Sequence, residues 1–104
     1  MELQVQARQF RLSDELRDHI ERRINFALGP FDRRVSRVAV SLSDVNGPKG
    51  GVDKQCQILV HLRRGDPVKI KDVDVDFGAV VDRAADRAGR AVARRVQRRR
   101  ERKG

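Results

Sequence analysis

The chain has 104 residues, of which 38% are charged and 38% hydrophobic, and a formal net charge of +9. That length holds one domain with a thin core, and no apolar run approaches the ~20 residues needed to span a bilayer. The lone Cys56 excludes an internal disulfide, and no basic segment followed by an apolar run opens the chain, so the expected setting is a reducing cytoplasm.

Glu2-Leu3-Gln4-Val5-Gln6-Ala7-Arg8 alternates apolar and polar residues, the period of a half-buried strand with Leu3, Val5 and Ala7 inward. Ser13 then offers an N-cap oxygen, Asp14 and Glu15 suit the positive end of a helix, and Leu16, Ile20, Ile24, Ala27 and Leu28 fall on one helical stripe. Gly29-Pro30 ends that helix. Val38, Val40 and Leu42 mark a second strand, and Asn46 to Gly51 a glycine-rich loop. A third strand places Cys56, Ile58, Val60 and Leu62 inward, with Gln55, Gln57, Leu59 and His61 on a largely polar outer face.

Arg64-Gly65-Asp66-Pro67 turns the chain into a fourth strand, in which Val68 and Ile70 have one parity and Val73 and Val75 the other. A bulge near Lys71-Asp72 reconciles them. Asp76 is positioned to cap a last helix whose stripe is Phe77, Val80, Val81, Ala84, Ala88, Ala91 and Val92. Phe10, Phe26, Phe31 and Phe77 are expected in core or helix-end packing. The order β-α-β-β-β-α predicts an α+β fold, a four-stranded sheet with both helices on one face, like double-stranded-RNA-binding domains.

The charge is concentrated at one end. Residues 83 to 104 hold ten basic and two acidic residues, which leaves a net +1 for residues 1 to 82. Arg83, Arg87, Arg90, Arg94 and Arg98 recur at helix-turn spacing on one flank of the last helix, with Asp82 and Asp86 on the other. At ~1.5 Å per residue the row runs roughly 22 Å, long enough to meet several successive phosphates. Residues 1–97 are read as the binding domain. Residues 98–104 carry no apolar stripe and are expected to fray as a basic tail.

Catalytic chemistry finds little support. His19 and His61 lie on different elements beside one cysteine, without zinc-ligand spacing, and are read as solvated. Cys56 alternates with apolar residues and is read as a buried inert thiol. Asp72, Asp74 and Asp76 share one strand face but lack the further ligands of a calcium loop, which leaves charge balance or helix capping. The loop at 47–51 does not match a phosphate cradle of the GxxxxGK[ST] kind. No cofactor, metal or small-molecule substrate is expected. With no Trp or Tyr, an aromatic platform for bases is not expected either.

Leu12-Ser13-Asp14-Glu15-Leu16-Arg17-Asp18-His19-Ile20-Glu21-Arg22-Arg23-Ile24, then Phe31 and Val38-Ala39-Val40-Ser41-Leu42, resembles the ribosome hibernation-promoting factor family, also known as ribosome-associated inhibitor A or sigma-54 modulation proteins. The segment Asp44 to Lys54 resembles the loop of a proteobacterial branch. The last helix departs from the pattern: Phe77 stands where the family usually has tyrosine, and alanine replaces leucine.

The resemblance, to the short form without a C-terminal dimerisation domain, implies binding to ribosomal RNA of the small subunit. The implied site is the channel otherwise held by messenger and transfer RNA, and the implied effect is reversible inhibition of translation. Arg8, Arg17, Arg22 and Arg23 match basic positions of the family, and Arg83, Arg87, Arg90 and Arg94 match the basic face of its last helix approximately. The free protein is expected to be a monomer. Two other readings stay open on the residues alone: a nonspecific nucleic-acid-binding module, and an accessory subunit that docks an acidic protein.

Overall fold

The computed structural model describes residues 1–45 and 53–103. The elements are β1 (Glu2–Arg8), α1 (Asp14–Leu28), a short 3-10 turn (Gly29–Phe31), β2 (Val35–Asp44), β3 (Lys54–Leu62), β4 (Val68–Asp74) and α2 (Phe77–Lys103). The four strands lie in sequence order, with β1 parallel to β2 and the other pairs antiparallel. This is the expected β-α-β-β-β-α fold. The glycine-rich loop, and with it the family-like segment expected there, falls mostly outside the described residues.

Both helix starts follow from their caps. The Ser13 hydroxyl accepts from the Leu16 N–H at 3.1 Å, and a carboxylate oxygen of Asp76 accepts from the Ala79 N–H at 2.9 Å. α1 stops where Gly29-Pro30 turns into the 3-10 segment. α2 runs unbroken through the segment expected to fray.

The inward residues of the strands meet the apolar stripes of both helices in one core. Ile20, Ile24, Leu28, Val38, Leu42, Ile58, Val60, Val80 and Val92 are fully buried. Each such side chain contributes about 1.5–3 kcal/mol relative to exposure. Leu3 and Val5 pack against this core from the edge strand β1. At one end Phe10 and Phe77 stack at 4.4 Å between ring centroids, and Lys54 lies 5.8 Å above Phe77.

The helices run side by side in the same direction: His19 meets Asp82, Arg23 meets Asp86, and Ala27 meets Gly89. At Gly89 an added Cβ would come within 3.0 Å of the Ala27 carbonyl oxygen, so the crossing is closed by the missing side chain.

The expected bulge near Lys71-Asp72 is absent. β4 pairs with β3 without interruption from Val68↔Val60 to Asp74↔Lys54, and the irregular register lies instead between Val35 and Arg37 of β2. Val73 and Val75 accordingly stand exposed on the open sheet face, while Asp72 and Asp74 turn toward the helices. The parity needs no bulge, because arginines of α2 satisfy those carboxylates.

Phe26 also departs from expectation. Its position on α1 lies outside the buried stripe, and it is 75% exposed.

Candidate nucleic-acid interface

α2 is fastened on both flanks by ion pairs. Toward β4, Arg83 Nε donates to Asp72 Oδ2 at 2.9 Å, its Nη2 lies 3.1 Å from Asp74 Oδ2, and Nη2 also donates to the Val73 carbonyl. Arg87 Nη1 reaches the Lys71 carbonyl at 3.0 Å and Asp72 Oδ2 at 3.1 Å. The arginine beside it holds the Asp72 carboxyl below its ordinary range, and the Val75 N–H does so first for Asp74. The charge-balancing role expected of Asp72 and Asp74, and the capping role of Asp76, are what the structure shows.

Toward α1, His19 Nε2 lies 2.7 Å from Asp82 Oδ1, and Arg23 Nη2 donates to Asp86 Oδ1 at 2.7 Å. Arg23 Nε comes within 3.2 Å of Asp82 Oδ1 but is off the hydrogen-bonding axis. His19 is thus held in an interhelical contact rather than solvated. His61 lies on the open sheet face, 3.0 Å from Arg37. Burial pushes the Cys56 thiol up to about 12, as an inert core thiol requires.

These pairings divide the expected phosphate ligands. Arg83, Arg87 and Arg23 already hold carboxylates, whereas Arg17 and Arg22 on α1 and Arg90, Arg94 and Arg98 on α2 are exposed. Arg8 is exposed beside Ser43, at the far end of the strands from the start of β2. At ~3.3 Å per residue that separation is about 25 Å, so Arg8 and the end of α2 do not share one site.

A second positive surface lies outside the arginine row that the sequence marks on α2. β2 begins where β3 ends, with Val35 opposite Leu62 and the Arg63 N–H donating to the Arg34 carbonyl at 2.9 Å. That register sets Arg33-Arg34 beside Arg63-Arg64, and α2 passes over them with Arg95, Arg99 and Arg100. Together they rim a concavity of about 330 Å³ floored by Leu62 and Val96. Gly65, at φ +90°, makes the turn, and Arg95 Nη1 fixes it by donating to the Asp66 carbonyl at 2.7 Å.

Among the described residues none of these seven arginines has a carboxylate partner. Guanidinium groups gathered over an apolar floor, with only Asp32 and Asp66 beside them among the described residues and neither in ion-pair contact, have the geometry and charge that suit phosphate oxygens. The two Arg-Arg pairs at adjoining ends of paired strands were the available signal. Among the described residues no group of His, Cys, Asp and Glu is arranged to hold a metal ion, and no helix is long and apolar enough to cross a membrane.

The fold and sequence have known counterparts. The N-terminal domain of Protein Y from Thermus thermophilus is 28% identical, with a TM-score of 0.71 over 90% of this chain and 98% of that domain. A ribosomal subunit interface protein from Coxiella burnetii, 16% identical, superposes with a TM-score of 0.79 over 93% of this chain and 99% of its own, a likeness of fold. No curated protein matches in sequence. The sequence profile of the sigma 54 modulation protein / S30EA ribosomal protein family matches residues 3–100. Carrying that family's sequence over nearly its whole length, on the fold just described, the chain belongs to this family of ribosome-associated, non-enzymatic proteins.

Proposed function

We propose that the protein binds ribosomal RNA of the small subunit in the channel otherwise held by messenger and transfer RNA, and thereby silences idle ribosomes reversibly. The observation that carries this reading is the arginine-rimmed end of the molecule, where Arg33, Arg34, Arg63, Arg64, Arg95 and Arg99 converge and, among the described residues, form no ion pair with the nearby Asp32 and Asp66. Arg17, Arg22, Arg90, Arg94 and Arg98 extend the positive surface along both helices, and Arg8 is a separate contact at the far end of the strands.

Such a surface recognises the phosphate backbone and shape of folded RNA rather than its sequence. Inhibition needs no chemistry: a protein that occupies the channel displaces initiation by mass action once its concentration exceeds its dissociation constant.

A cell-free translation titration against a fixed amount of ribosomes, read beside a sedimentation binding curve, tests this. Inhibition is expected to saturate near one protein per ribosome and to be relieved by excess initiation factors, messenger and initiator transfer RNA. Inhibition far below that ratio, or binding without inhibition, overturns the reading.

A further inference from the structure

Phe26 is the aromatic residue that the fold leaves outside. Phe10, Phe31 and Phe77 pack against the core, whereas Phe26 is 75% exposed on α1. A single exposed apolar side chain is ordinary on a protein surface. The surroundings of this one are not.

The Arg23 guanidinium carbon sits 5.8 Å from the centroid of the Phe26 ring. Arg23 is itself anchored, by its ion pairs to Asp82 and Asp86 on α2, so the cation beneath the ring has a fixed place. Arg22, four residues before Phe26, is exposed on the neighbouring helix turn. The ring thus presents a π-surface backed by one arginine and flanked by a second that is free to take a phosphate.

We propose that Phe26 is a stacking platform for one unpaired nucleobase of the bound RNA, with Arg22 taking the adjacent phosphate. This rests on the RNA-binding reading above and adds to it a contact to a base, where the arginine surface contacts only the backbone. The occupant is nucleic acid rather than an apolar protein surface because one face of the ring is backed by Arg23 and the exposed Arg22 adjoins it, and a base supplies both the flat face and the attached anion. Stacking of this kind tolerates any base, since every base has a π-face.

The chain has no Trp or Tyr, so Phe26→Trp introduces a sole emitter at the position in question. Three arms make the test. Affinity for purified small subunits is measured for wild type, Phe26→Ala and Phe26→Trp. Trp emission is followed as Phe26→Trp is titrated with a single-stranded oligoadenylate at low salt. Inorganic tripolyphosphate serves as the control for phosphate alone.

Phe26→Ala is expected to weaken subunit binding roughly tenfold, and Phe26→Trp to retain it. The oligoadenylate quenches the emission and tripolyphosphate does not. Because the side chain is exposed, thermal unfolding of both variants stays at the wild-type midpoint, which separates a lost contact from a lost fold.

Unquenched emission with oligoadenylate overturns the stacking assignment even where Phe26→Ala weakens subunit binding, since that combination places the ring on a ribosomal protein. Wild-type affinity in Phe26→Ala also overturns it, and leaves the channel-binding reading standing. Failure of the wild type to bind subunits removes that reading instead, while the oligoadenylate arm still decides whether the ring stacks on bases.

Discussion

Arg83 Nε donates to Asp72 Oδ2 at 2.9 Å, so the first arginine of the basic row is tied to the edge strand β4 instead of standing free. Arg87 shares the same oxygen. The row that looks uniform along the helix therefore falls into a structural half and an open half.

Replacing Arg83 and Arg87 by Gln is expected to lower the urea midpoint with little change in affinity for small subunits. Replacing Arg90, Arg94 and Arg98 by Gln is expected to leave the midpoint and weaken binding. Urea melts beside sedimentation binding curves check this division, and equal losses of affinity from both sets contradict it.

Acid should loosen the α2–β4 contact. Asp72 and Asp74 are held below the ordinary value of 3.8, Asp72 chiefly by its hydrogen bond from Arg83 and Asp74 chiefly by the Val75 N–H. As pH falls through that value the unfolded chain binds more protons than the folded one, so stability falls with falling pH; above about pH 5 the contribution is complete. Asp72→Asn is expected to cost less than about 1 kcal/mol at neutral pH and to flatten the acid limb of a stability profile. An acid limb identical to that of the wild type would show that these carboxylates do not set it.

At the helix crossing, Gly89→Leu is expected to destabilise by about 1–3 kcal/mol, because the side chain must displace the Ala27 backbone. Chemical denaturation measures the loss. A neutral outcome means that α1 and α2 separate there without cost.

The arginine concavity should reveal itself in salt dependence. Each phosphate contact contributes a slope of about 0.7–0.9 in log affinity against log salt, so Arg34→Gln, Arg64→Gln and Arg99→Gln combined should reduce the slope by roughly 2 to 3. Affinity measured between low and moderate salt gives the value. An unchanged slope would locate the phosphate contacts elsewhere.

Strands and helices were legible because their residues keep strict periods: Leu3-Val5-Ala7 and Cys56-Ile58-Val60 alternate, and Ile20-Ile24 and Val81-Ala84-Ala88 follow the helical turn. Parity misled at Val73 and Val75, where side-chain hydrophobicity suggested burial. The helix face at that point is held by Asp72 and Asp74, whose partners lie eleven and nine residues ahead at Arg83.

The basic character of α2 was legible as composition. Which arginines are free was not, because a carboxylate partner on another element is a property of register and crossing. Arg33-Arg34 and Arg63-Arg64 illustrate this best: unremarkable dipeptides in the chain, they become neighbours once β2 and β3 pair. Phe26 was expected in core or helix-end packing from its type, whereas the orientation of α1 turns it outward.

The shared direction of the two helices has one more consequence. Gly29 and Pro30 at the end of α1 and Ala93 and Val96 of α2 line one hollow together with Arg33, Arg34 and Arg100, so the carbonyl end of α1 and the later turns of α2 lie beside the arginines. Carbonyl ends of helices carry partial negative charge, and they offset part of the repulsion among those guanidinium groups. Asp32, which lines the same hollow, adds a full negative charge, and a bound anion would offset the repulsion further. Added phosphate or sulfate should raise the unfolding midpoint of the free protein while it loosens the grip on RNA, so stability and affinity move in opposite directions along the same axis of salt.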